Sequence, residues 1–428
     1  MNEASEQIAS RKSLAILFGV ALALRLAAMF ALNTPQLAEH QTVWQWGHES
    51  ACLAQSIAGG HGYGDPWAKG SGPSSWLTPP FPALIAALFA LFGGLSYATA
   101  LALCVLQALA SAATCVLVVR LGAAAGAARA GRLGGWMFAL YPLAIADSVQ
   151  LVWDTTWVAL ALTAFLLALL NSRATIPSAV NTGLAYGALL FLNPAPLALA
   201  PAVSWWIWKR AGASRAALHN VAGFALAAFA VCFPWMLRNA SVLGAFSLRP
   251  NFGVEMRIGN HDDANGHPMP TLYHPSHVAA EFELYQKLGE VAYADENMQR
   301  ARAWIAAHPG QFAALTVRRF RLFWLGEWPS SDPRKLDGAA TARDPASWIK
   351  FLAYALCGLG GMLALLVAPL ERDVRWLLCA SVLLFGAPYY VSHVSERYRF
   401  PIDPVLVLAC AMLILSIVER VHPRRGTP

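Results

Sequence analysis

Long apolar runs separated by shorter polar stretches dominate the hydropathy pattern of the 428-residue chain. Ten of these runs are apolar and long enough to cross about 30 Å of hydrocarbon as helices. They lie near 14–32, 97–119, 132–148, 155–171, 178–193, 195–208, 216–236, 348–369, 375–391 and 401–418. The pattern therefore predicts an all-α integral membrane protein, a polytopic bundle of about ten spans.

Basic clusters beside the apolar runs orient the spans, because Lys and Arg are enriched on the cytoplasmic side of a membrane. With a cytoplasmic N-terminus, alternation of the ten spans places every cluster on the inner side. The clusters are Arg11 with Lys12, the segment 120–132, Arg173, the segment 209–215, Arg372 with Arg375, and the segment 420–425. We therefore expect both termini to be cytoplasmic and the long polar loops to face outward.

One further apolar segment, 79–95 (PPFPALIAALFALFGGL), does not fit as a crossing. A crossing here would move Arg120, Arg129 and Arg132 to the outside, against the charge pattern. The segment instead predicts a juxtamembrane or re-entrant outer helix, begun by the two prolines and ended by the two glycines. A full crossing is the alternative.

The spans and loops divide the chain into three predicted parts. Residues 1–236 form an N-terminal transmembrane module that includes a long outer loop, 33–78, and the helix at 79–95. Residues 237–346 form an outer, mostly helical region, and residues 347–428 form the C-terminal transmembrane helices. The polar loops of all three parts lie on the outer face.

Composition agrees with this reading, since 57% of the residues are hydrophobic and 13% are charged, whereas a soluble domain carries about 25% charged residues. The net charge of +7 is compatible with nucleic-acid binding, but most basic residues lie beside apolar runs, so we discount that class. Six of the seven cysteines also lie in apolar runs, where they act as small buried hydrophobes and not as a disulfide or metal framework.

The outer loop 33–78 carries three acids, Glu39, Glu49 and Asp65, among Trp, His and Gly residues. Glu49 falls in GHESACLAQSIAGG, which predicts a short amphipathic helix on the membrane, ended by Gly59 and Gly60. Sugar transfer from a phosphate-linked donor needs a carboxylate that takes the proton of the acceptor hydroxyl. Glu49 is therefore a candidate base; the alternative is a solvated acid that stabilises a helix N-terminus.

A second candidate acid, Asp154, lies in LVWDTTW at the outer end of a predicted span. An Asp that precedes two Thr residues also suits the N-cap of the following helix. The sequence leaves both roles open, and the two can coexist.

The segment 249–290 is rich in Gly, Asn, Pro and His, which predicts an ordered irregular loop followed by helices. Long ordered loops in compact domains are usually functional. Candidate substrate contacts in this segment are Arg249, Asn251, Glu255, Arg257, Asn260, His274 and Glu290. The run His261, Asp262 and Asp263 does not predict a metal site, because consecutive residues rarely chelate one ion.

Arg397 and Arg399 lie in SERYRFP, between two predicted spans. Arginine side chains match phosphate oxygens bidentately, which suits a polyprenyl phosphate whose tail lies in the bilayer. The alternative is that both side chains extend to lipid headgroups.

Together these motifs resemble the GT-C superfamily of membrane glycosyltransferases, in particular family 39-like bacterial enzymes related to protein mannosyltransferases and aminoarabinose transferases. The matching pieces are GHESACLAQSIAGGHGYG with TPPFP, the stretch from Tyr141-Pro142 to Asp154, RNASVLGAFSLRPNFGVEMRIGN with HPSHVAAEFELYQKLGEVAY, and ERYRFPIDP. The resemblance implies a GT-C-like bundle with an outward-facing site, a polyprenyl-phosphate donor and inversion at the anomeric carbon. It also places Glu49 at the position of the family's loop acid. The pair His48-Glu49 stands where the family more often has Asp or an Asp-Glu pair.

Residues and resemblance together predict an inverting glycosyltransferase of the bacterial inner membrane. It would move a hexosyl or pentosyl group to an envelope acceptor, which is a lipid, a glycan or a protein. Glu49 would be the base, with Glu39 as the alternative, and Asp154 an accessory acid. Arg397 and Arg399 would hold the phosphate, and His48 with the contacts from 249–260 would bind substrate.

The expected partners are the lipid-linked donor, the acceptor and membrane lipids, without nucleic acid. No cofactor is predicted, although a divalent metal stays open. Two other functions compete with this prediction. One is a glycan ligase that uses a polyprenyl-diphosphate donor. The other is a lipid-linked sugar flippase or transporter, which would favour charged residues or broken helices at mid-depth.

Overall fold

The computed structural model describes residues 10–36, 47–212, 214–329 and 344–421. These ranges are mainly helical and contain no β-strand, which confirms the predicted all-α class. The described helices up to the middle of the chain are α1 Arg11–Ala31, α2 His48–Ala58, α3 Pro80–Phe92, α4 Tyr97–Ala124, α5 Ala128–Leu140, α6 Pro142–Gln150, α7 Thr155–Leu170, α8 Ile176–Leu192, α9 Ala200–Arg210 and α10 Arg215–Leu243.

The C-terminal half continues with α11 Phe252–Gly259, α12 Pro270–Tyr273, α13 Ala279–Leu288, α14 Glu290–Ala307, α15 Pro309–Leu325, α16 Pro345–Val367, α17 Arg372–Phe385, α18 Ala387–Val391 and α19 Asp403–Val421. Short 3-10 segments occur at Ala195–Leu199, Glu396–Tyr398 and Phe400–Ile402. The division of the chain into three parts, with boundaries at residues 236 and 346, stays a prediction.

Six stretches of the described chain are long and apolar enough to span a bilayer, so the chain is a membrane protein. They are Arg11–Ala31, Tyr97–Ala124, Arg215–Leu243, Pro345–Val367, Arg372–Val391 and Glu396–Val421. The predicted count of ten is not confirmed, because four predicted spans are shorter helices. The 132–148 run is divided into α5 and α6, and the 195–208 run into a 3-10 segment and α9.

Proline accounts for both divisions, since it lacks an N–H and cannot continue a helix. Pro142 begins α6, and Pro201 lies in the first turn of α9. The other two short helices, α7 and α8, have 16 and 17 residues, or roughly 24 to 26 Å at 1.5 Å per residue.

The helix predicted at 79–95 is present as α3. Pro80 lies in its first turn, where the missing N–H has no intrahelical partner to lose, and the helix ends at Gly93 with φ of 83°. Its apolar residues pack on α2 and α4. Its position outside the membrane stays a prediction.

The largest buried apolar cluster draws on helices from both ends of the chain, including α1, α4 to α10 and α16 to α19. Arg25 of α1 is fully buried within this bundle. Its guanidinium donates hydrogen bonds to Ser111 Oγ at 2.7 Å and to the backbone oxygens of Ala21, Phe138 and Ala139. Because these bonds join α1 to α4 and α5, Arg25 has a structural role.

A separate aromatic core joins the loop between α2 and α3 to α11, α13 and α14. Trp67 and Trp76 of the loop pack edge to face, with ring centroids 4.4 Å apart. Tyr285 of α13 packs against both rings. The loop is therefore folded onto the helices that follow α10.

Glu290 fixes this loop from the start of α14. Its buried carboxylate accepts hydrogen bonds from Ser74 Oγ (2.5 Å), from Ser75 N and Oγ (2.8 and 3.1 Å), and from Tyr285 Oη (3.0 Å). Arg238 adds a bond from Nη1 to the backbone oxygen of Ser74 at 2.7 Å. Glu290, a candidate substrate contact in the sequence, thus anchors the loop.

Candidate active site

A cavity of about 770 Å³ lies where the aromatic core meets the ends of the apolar helices. Its volume is within the size range of small-molecule sites. Its walls come from α2, the start of α7, the turn after α8, α11, and the segment between α17 and α19. Residues that the sequence singled out line it: His48, Glu49, Asp154, Arg249, Asn251, Glu255, His274 and Arg397. The fold therefore brings acids and bases from distant segments into one chamber.

Gly47 sets the position of Glu49. It has φ of 60° and precedes α2, and a Cβ at this position would lie 2.5 Å from the backbone oxygen of Val152. Only a glycine allows this left-handed conformation and this close approach. The first turn of α2, which carries Glu49, consequently lies against the segment that leads to Asp154.

Glu49 faces His274 across the cavity, with 3.7 Å between Oε1 and Nε2, which is longer than a hydrogen bond. His274 Nδ1 accepts a hydrogen bond from Ser276 N at 3.3 Å, so the proton of the neutral ring lies on Nε2. Burial lowers the pKa of His274 to about 4. The ring is therefore neutral near pH 7, so its contact with Glu49 is not an ion pair at that pH. The neighbouring His48 lines the same wall, and burial also lowers its pKa.

Asp154 occupies the N-cap position of α7 but does not cap the helix with its side chain. Its Oδ2 instead accepts a hydrogen bond from Asn193 Nδ2 at 2.8 Å, and Asn193 Oδ1 accepts one from Ala195 N at 2.9 Å. Burial raises the pKa of Asp154, against the Asn193 hydrogen bond and the charges of Arg249 and Arg397. Asp154 therefore lines the cavity within electrostatic reach of Arg249 and Arg397.

Arg397 stacks on Trp153, with its Cζ 3.5 Å from the ring centroid. Tyr398 contacts the same guanidinium at 5.1 Å. Within the described ranges, neither Arg397 nor Arg249 forms an ion pair with a carboxylate, and Arg249 Nε has no hydrogen-bond partner. The two arginines lie near the carboxylates of Asp154 and Glu255 without forming an ion pair with either, and their N–H donors suit an anion such as a phosphate.

Glu255 forms the second acid–histidine pair of the cavity. Its Oε2 lies 2.8 Å from His393 Nε2, and its Oε1 accepts a hydrogen bond from Asn251 Nδ2 at 3.2 Å. Burial acts to raise the pKa of Glu255, but the hydrogen bond and charge of His393 outweigh it and hold the pKa at about 2. Glu255 is therefore ionised near pH 7 and hydrogen-bonded through both oxygens, so it is poorly placed to take the proton of an acceptor hydroxyl.

A second close approach places His393. A Cβ on Gly259, at the end of α11, would lie 1.8 Å from the backbone oxygen of Ser392. Asn260 Nδ2 and Arg319 Nη1 both donate to the backbone oxygen of Val391, at 3.0 and 3.1 Å. Asn260 thus holds the 391–393 segment from outside the cavity lining.

Two other predicted binding residues lie outside the lining. Arg257 stacks on Tyr273, with Cζ 4.3 Å from the ring centroid. Arg399 is fully buried and pairs with Asp403 at 2.8 Å from Nε to Oδ1, and its Nη1 donates to Trp324 O at 2.9 Å. Arg399 therefore does not share an anion site with Arg397.

The loop 33–78 contains two other acids, Asp65 and Glu39. Asp65 accepts hydrogen bonds from the backbone N–H groups of Gly70 and Gly72, at 3.0 and 2.9 Å, and so shapes its own turn. Glu39 lies outside the described residues.

Asn193, Trp153 and His393 are cavity residues that sequence reasoning did not select. No local pattern in the sequence singles out Asn193 or Trp153 as a site residue. His393 stands in SHVSERYR, where the two arginines gave the stronger signal. Its partner Glu255 is 138 positions away, so no local pattern shows the pair.

Among the described residues, no group of three or more His, Cys, Asp or Glu side chains is arranged to hold a metal ion.

No protein-family model matches the chain, and no curated protein matches it. Solved structures do match it, among them the crystal structure of the Archaeoglobus fulgidus oligosaccharyltransferase tethered with an acceptor peptide that contains the NVT sequon. That match has a TM-score of 0.52 and 15% identity and covers 97% of this chain and 50% of the other. The same enzyme in the apo form gives 0.52 and 16%, with 97% and 51% covered.

A third match is archaeal oligosaccharyltransferase AglB from Archaeoglobus fulgidus in complex with an inhibitory peptide and a dolichol-phosphate, with a TM-score of 0.50, 14% identity, and 97% and 51% covered. The chain thus spans about half the length of these structures. Oligosaccharyltransferases of this kind belong to the GT-C superfamily. At this level of identity the likeness concerns the fold, and it confirms the predicted GT-C-like helical bundle.

Proposed function

We propose that this chain is an inverting membrane glycosyltransferase that moves a sugar from a polyprenyl-phosphate donor to an envelope acceptor. One observation carries the proposal: Glu49, Arg249 and Arg397 share one cavity, and within the described ranges neither arginine forms an ion pair with a carboxylate. Transfer from a phosphate-linked donor needs such a base and such an anion site together. The GT-C fold supports the same chemistry.

In the proposed reaction, Glu49 takes the proton from the acceptor hydroxyl as the hydroxyl oxygen attacks C1 of the donor sugar. The bond between C1 and the phosphate oxygen breaks, its electron pair stays on that oxygen, and the polyprenyl phosphate leaves. Arg249 and Arg397 stabilise the negative charge that develops there. Because the acceptor attacks from the face opposite the phosphate, the configuration at C1 inverts.

The sequence paired Arg397 with Arg399, and the geometry favours Arg249 as the second phosphate ligand. Asp154 lies in electrostatic reach of both Arg249 and Arg397, and we assign it the accessory role of orienting them. Val158, Leu197 and Phe385 give the cavity an apolar side, which suits an isoprenoid chain. Leu197 is 55% exposed, so this side opens toward the surface of the helical bundle.

We also propose that the site faces outward from a bacterial inner membrane, with both termini cytoplasmic and a hexosyl or pentosyl group as cargo. One structural neighbour was solved with an inhibitory peptide and a dolichol-phosphate. That complex supports a lipid phosphate and a separate acceptor as the partners of this cavity.

A second candidate is transfer of a preassembled glycan from a polyprenyl diphosphate; the oligosaccharyltransferases among the structural neighbours favour a preassembled glycan as the transferred group. The two candidates are separated with purified protein in proteoliposomes and donors that carry the same sugar on a mono- or a diphosphate. Our proposal predicts transfer from the monophosphate with inversion, read by mass spectrometry and by NMR of the anomeric proton. Transfer only from the diphosphate contradicts it, and movement of donor across the bilayer without transfer indicates a flippase.

A further inference from the structure

His274 is held in the cavity wall by the aromatic core. The residue is 7% exposed and lies between α12 and α13. Its ring packs edge to face against Trp67 and Trp76, with centroid distances of 4.7 and 5.8 Å. Both tryptophans are buried, so these contacts fix the plane of the imidazole and the directions in which its two nitrogens point.

Ser276 determines which ring nitrogen of His274 carries the proton. The backbone N–H of Ser276 donates to Nδ1 at 3.3 Å, and its Oγ also contacts Nδ1. A ring nitrogen that accepts a hydrogen bond carries no proton itself. The neutral ring therefore presents a single N–H donor, and that donor is Nε2.

This donor is directed at Glu49, because Nε2 lies 3.7 Å from Glu49 Oε1. Catalytic hydrogen bonds often reach bonding distance only in the complex with substrate. Glu255 is the other carboxylate whose charge acts on the His274 ring. Its two oxygens already bind His393 and Asn251, so Glu49 is the carboxylate that remains for the Nε2 donor.

We propose that His274 is a positioning residue for Glu49. Its Nε2–H donates to Oε1 and holds the carboxylate in one orientation, with Oε2 directed at the acceptor hydroxyl. Ser276 maintains the tautomer that this contact needs. A Glu side chain has several rotatable bonds, and a misplaced catalytic group loses much of its rate. This inference rests on the proposed function, in which Glu49 is the base, and adds to it the group that orients that base.

Two substitutions separate this role from a role in packing alone. His274→Phe keeps an aromatic ring against Trp67 and Trp76 but removes both nitrogens. His274→Gln loses the ring, but its amide N–H donor is as many bonds from Cβ as Nε2 of histidine is. A positioning role predicts that the Gln variant is the more active of the two, whereas a packing role predicts the reverse. His61→Phe is the matched control, because His61 is exposed and lies outside the cavity lining.

The first experiment measures initial rates of sugar transfer by full-length protein in lipid nanodiscs at saturating donor and acceptor. We expect kcat of His274→Phe to fall about tenfold or more, the effect of one hydrogen bond to a charged group, at an unchanged donor KM. His274→Gln should stay closer to wild type, and His61→Phe should equal it. If His274→Phe is as fast as His61→Phe, or if His274→Gln is slower than His274→Phe, His274 does not position the base.

A second measurement does not depend on turnover or on the folding of His274→Phe. Solid-state NMR of protein with isotope-labelled histidine in lipid bilayers reports which ring nitrogen is protonated, and the His274 signals are those missing from His274→Gln. We expect the proton on Nε2 at pH 7, and we expect the Nε2 resonance to move in Glu49→Gln. A proton on Nδ1, or an Nε2 resonance that does not move, overturns the inference. If both NMR results hold but wild type transfers no sugar from a polyprenyl monophosphate, the contact stands and the proposed function is wrong.

Discussion

The variant Arg397→Lys tests whether Arg397 binds phosphate through paired N–H donors or only through its positive charge. The guanidinium lies over the Trp153 ring, with Cζ 3.5 Å from the ring centroid, and the Tyr398 ring centroid is 5.1 Å from the same atom. In this position it offers two parallel N–H donors to a phosphate, whereas a lysine ammonium is a point charge on a flexible chain. The variant keeps the positive charge and loses the paired donors.

The size of the effect follows from these contacts. Loss of one of two charge-assisted hydrogen bonds costs about 1.5 to 3 kcal/mol, and a weaker contact with the Trp153 ring adds roughly 0.5 kcal/mol. A total of about 2 to 3.5 kcal/mol corresponds to a rise in donor KM of roughly 30- to 400-fold.

The assay measures initial rates of sugar transfer against donor concentration with purified protein in nanodiscs. Arg300→Lys is the matched control, because Arg300 is an exposed residue of α14 that pairs with Glu296 at 2.9 Å, outside the cavity. If Arg397→Lys gives the same donor KM as Arg300→Lys, the bidentate contact does not exist.

Three further predictions follow from buried groups. Arg399→Met leaves Asp403 buried and unpaired, so we expect it to reduce the free energy of unfolding by about 3 to 5 kcal/mol, seen as a lower melting temperature. His274 has a pKa of about 4 when folded against about 6.5 when unfolded. The unfolded chain therefore binds the proton first, and the free energy of unfolding falls by at most about 3 kcal/mol as pH drops from 6.5 to 4; His274→Asn should remove this part of the pH dependence of thermal unfolding. Glu290→Gln replaces an acceptor by a donor beside Ser74 or Ser75, at a cost of about 1 to 3 kcal/mol, and should speed hydrogen exchange in the loop.

Each of these predictions has its own control. Adding Asp403→Leu to Arg399→Met should restore part of the stability, and a double variant no more stable than the single one contradicts the buried pair. If the thermal unfolding of His274→Asn depends on pH as that of wild type does, a group other than His274 causes the pH dependence between pH 6.5 and 4. Glu296→Gln, which changes an exposed acid of α14, should leave exchange in the outer loop unaltered; equal exchange in both variants refutes the anchor role of Glu290.

Local signals predicted α3 well. Proline in the first turn and a glycine at the end act on neighbouring backbone only, and the helix begins and ends as they indicate. The number of spans was predicted less well, because hydropathy averaged along an apolar run does not show where a helix is interrupted within it. The run 132–148 is mostly apolar, but Pro142 divides it into two helices.

The two arginines of SERYRFP show why the site was only partly predictable. Arg397 and Arg399 are two positions apart and chemically identical, yet one stacks on Trp153 in the cavity and the other is buried against Asp403. The spacing of Arg399 and Asp403, four residues apart, was a readable signal for an ion pair. Nothing local indicates that Arg249 lies on the same cavity as Arg397.

The meeting of Glu49 with Asp154 also depends on a long-range contact. It requires Gly47 to approach the backbone oxygen of Val152, and this pairing leaves no trace in hydropathy or spacing. The sequence could therefore nominate both acids but could not show that they share a chamber.

The most direct test of the central claim is the transfer rate of Glu49→Gln with a polyprenyl-phosphate donor in reconstituted membranes. The account predicts that kcat falls by roughly 10²- to 10⁴-fold, the usual contribution of a general base, while donor KM and melting temperature stay at wild-type values. A Glu49→Gln protein that is equally folded and transfers sugar at the wild-type rate would contradict it.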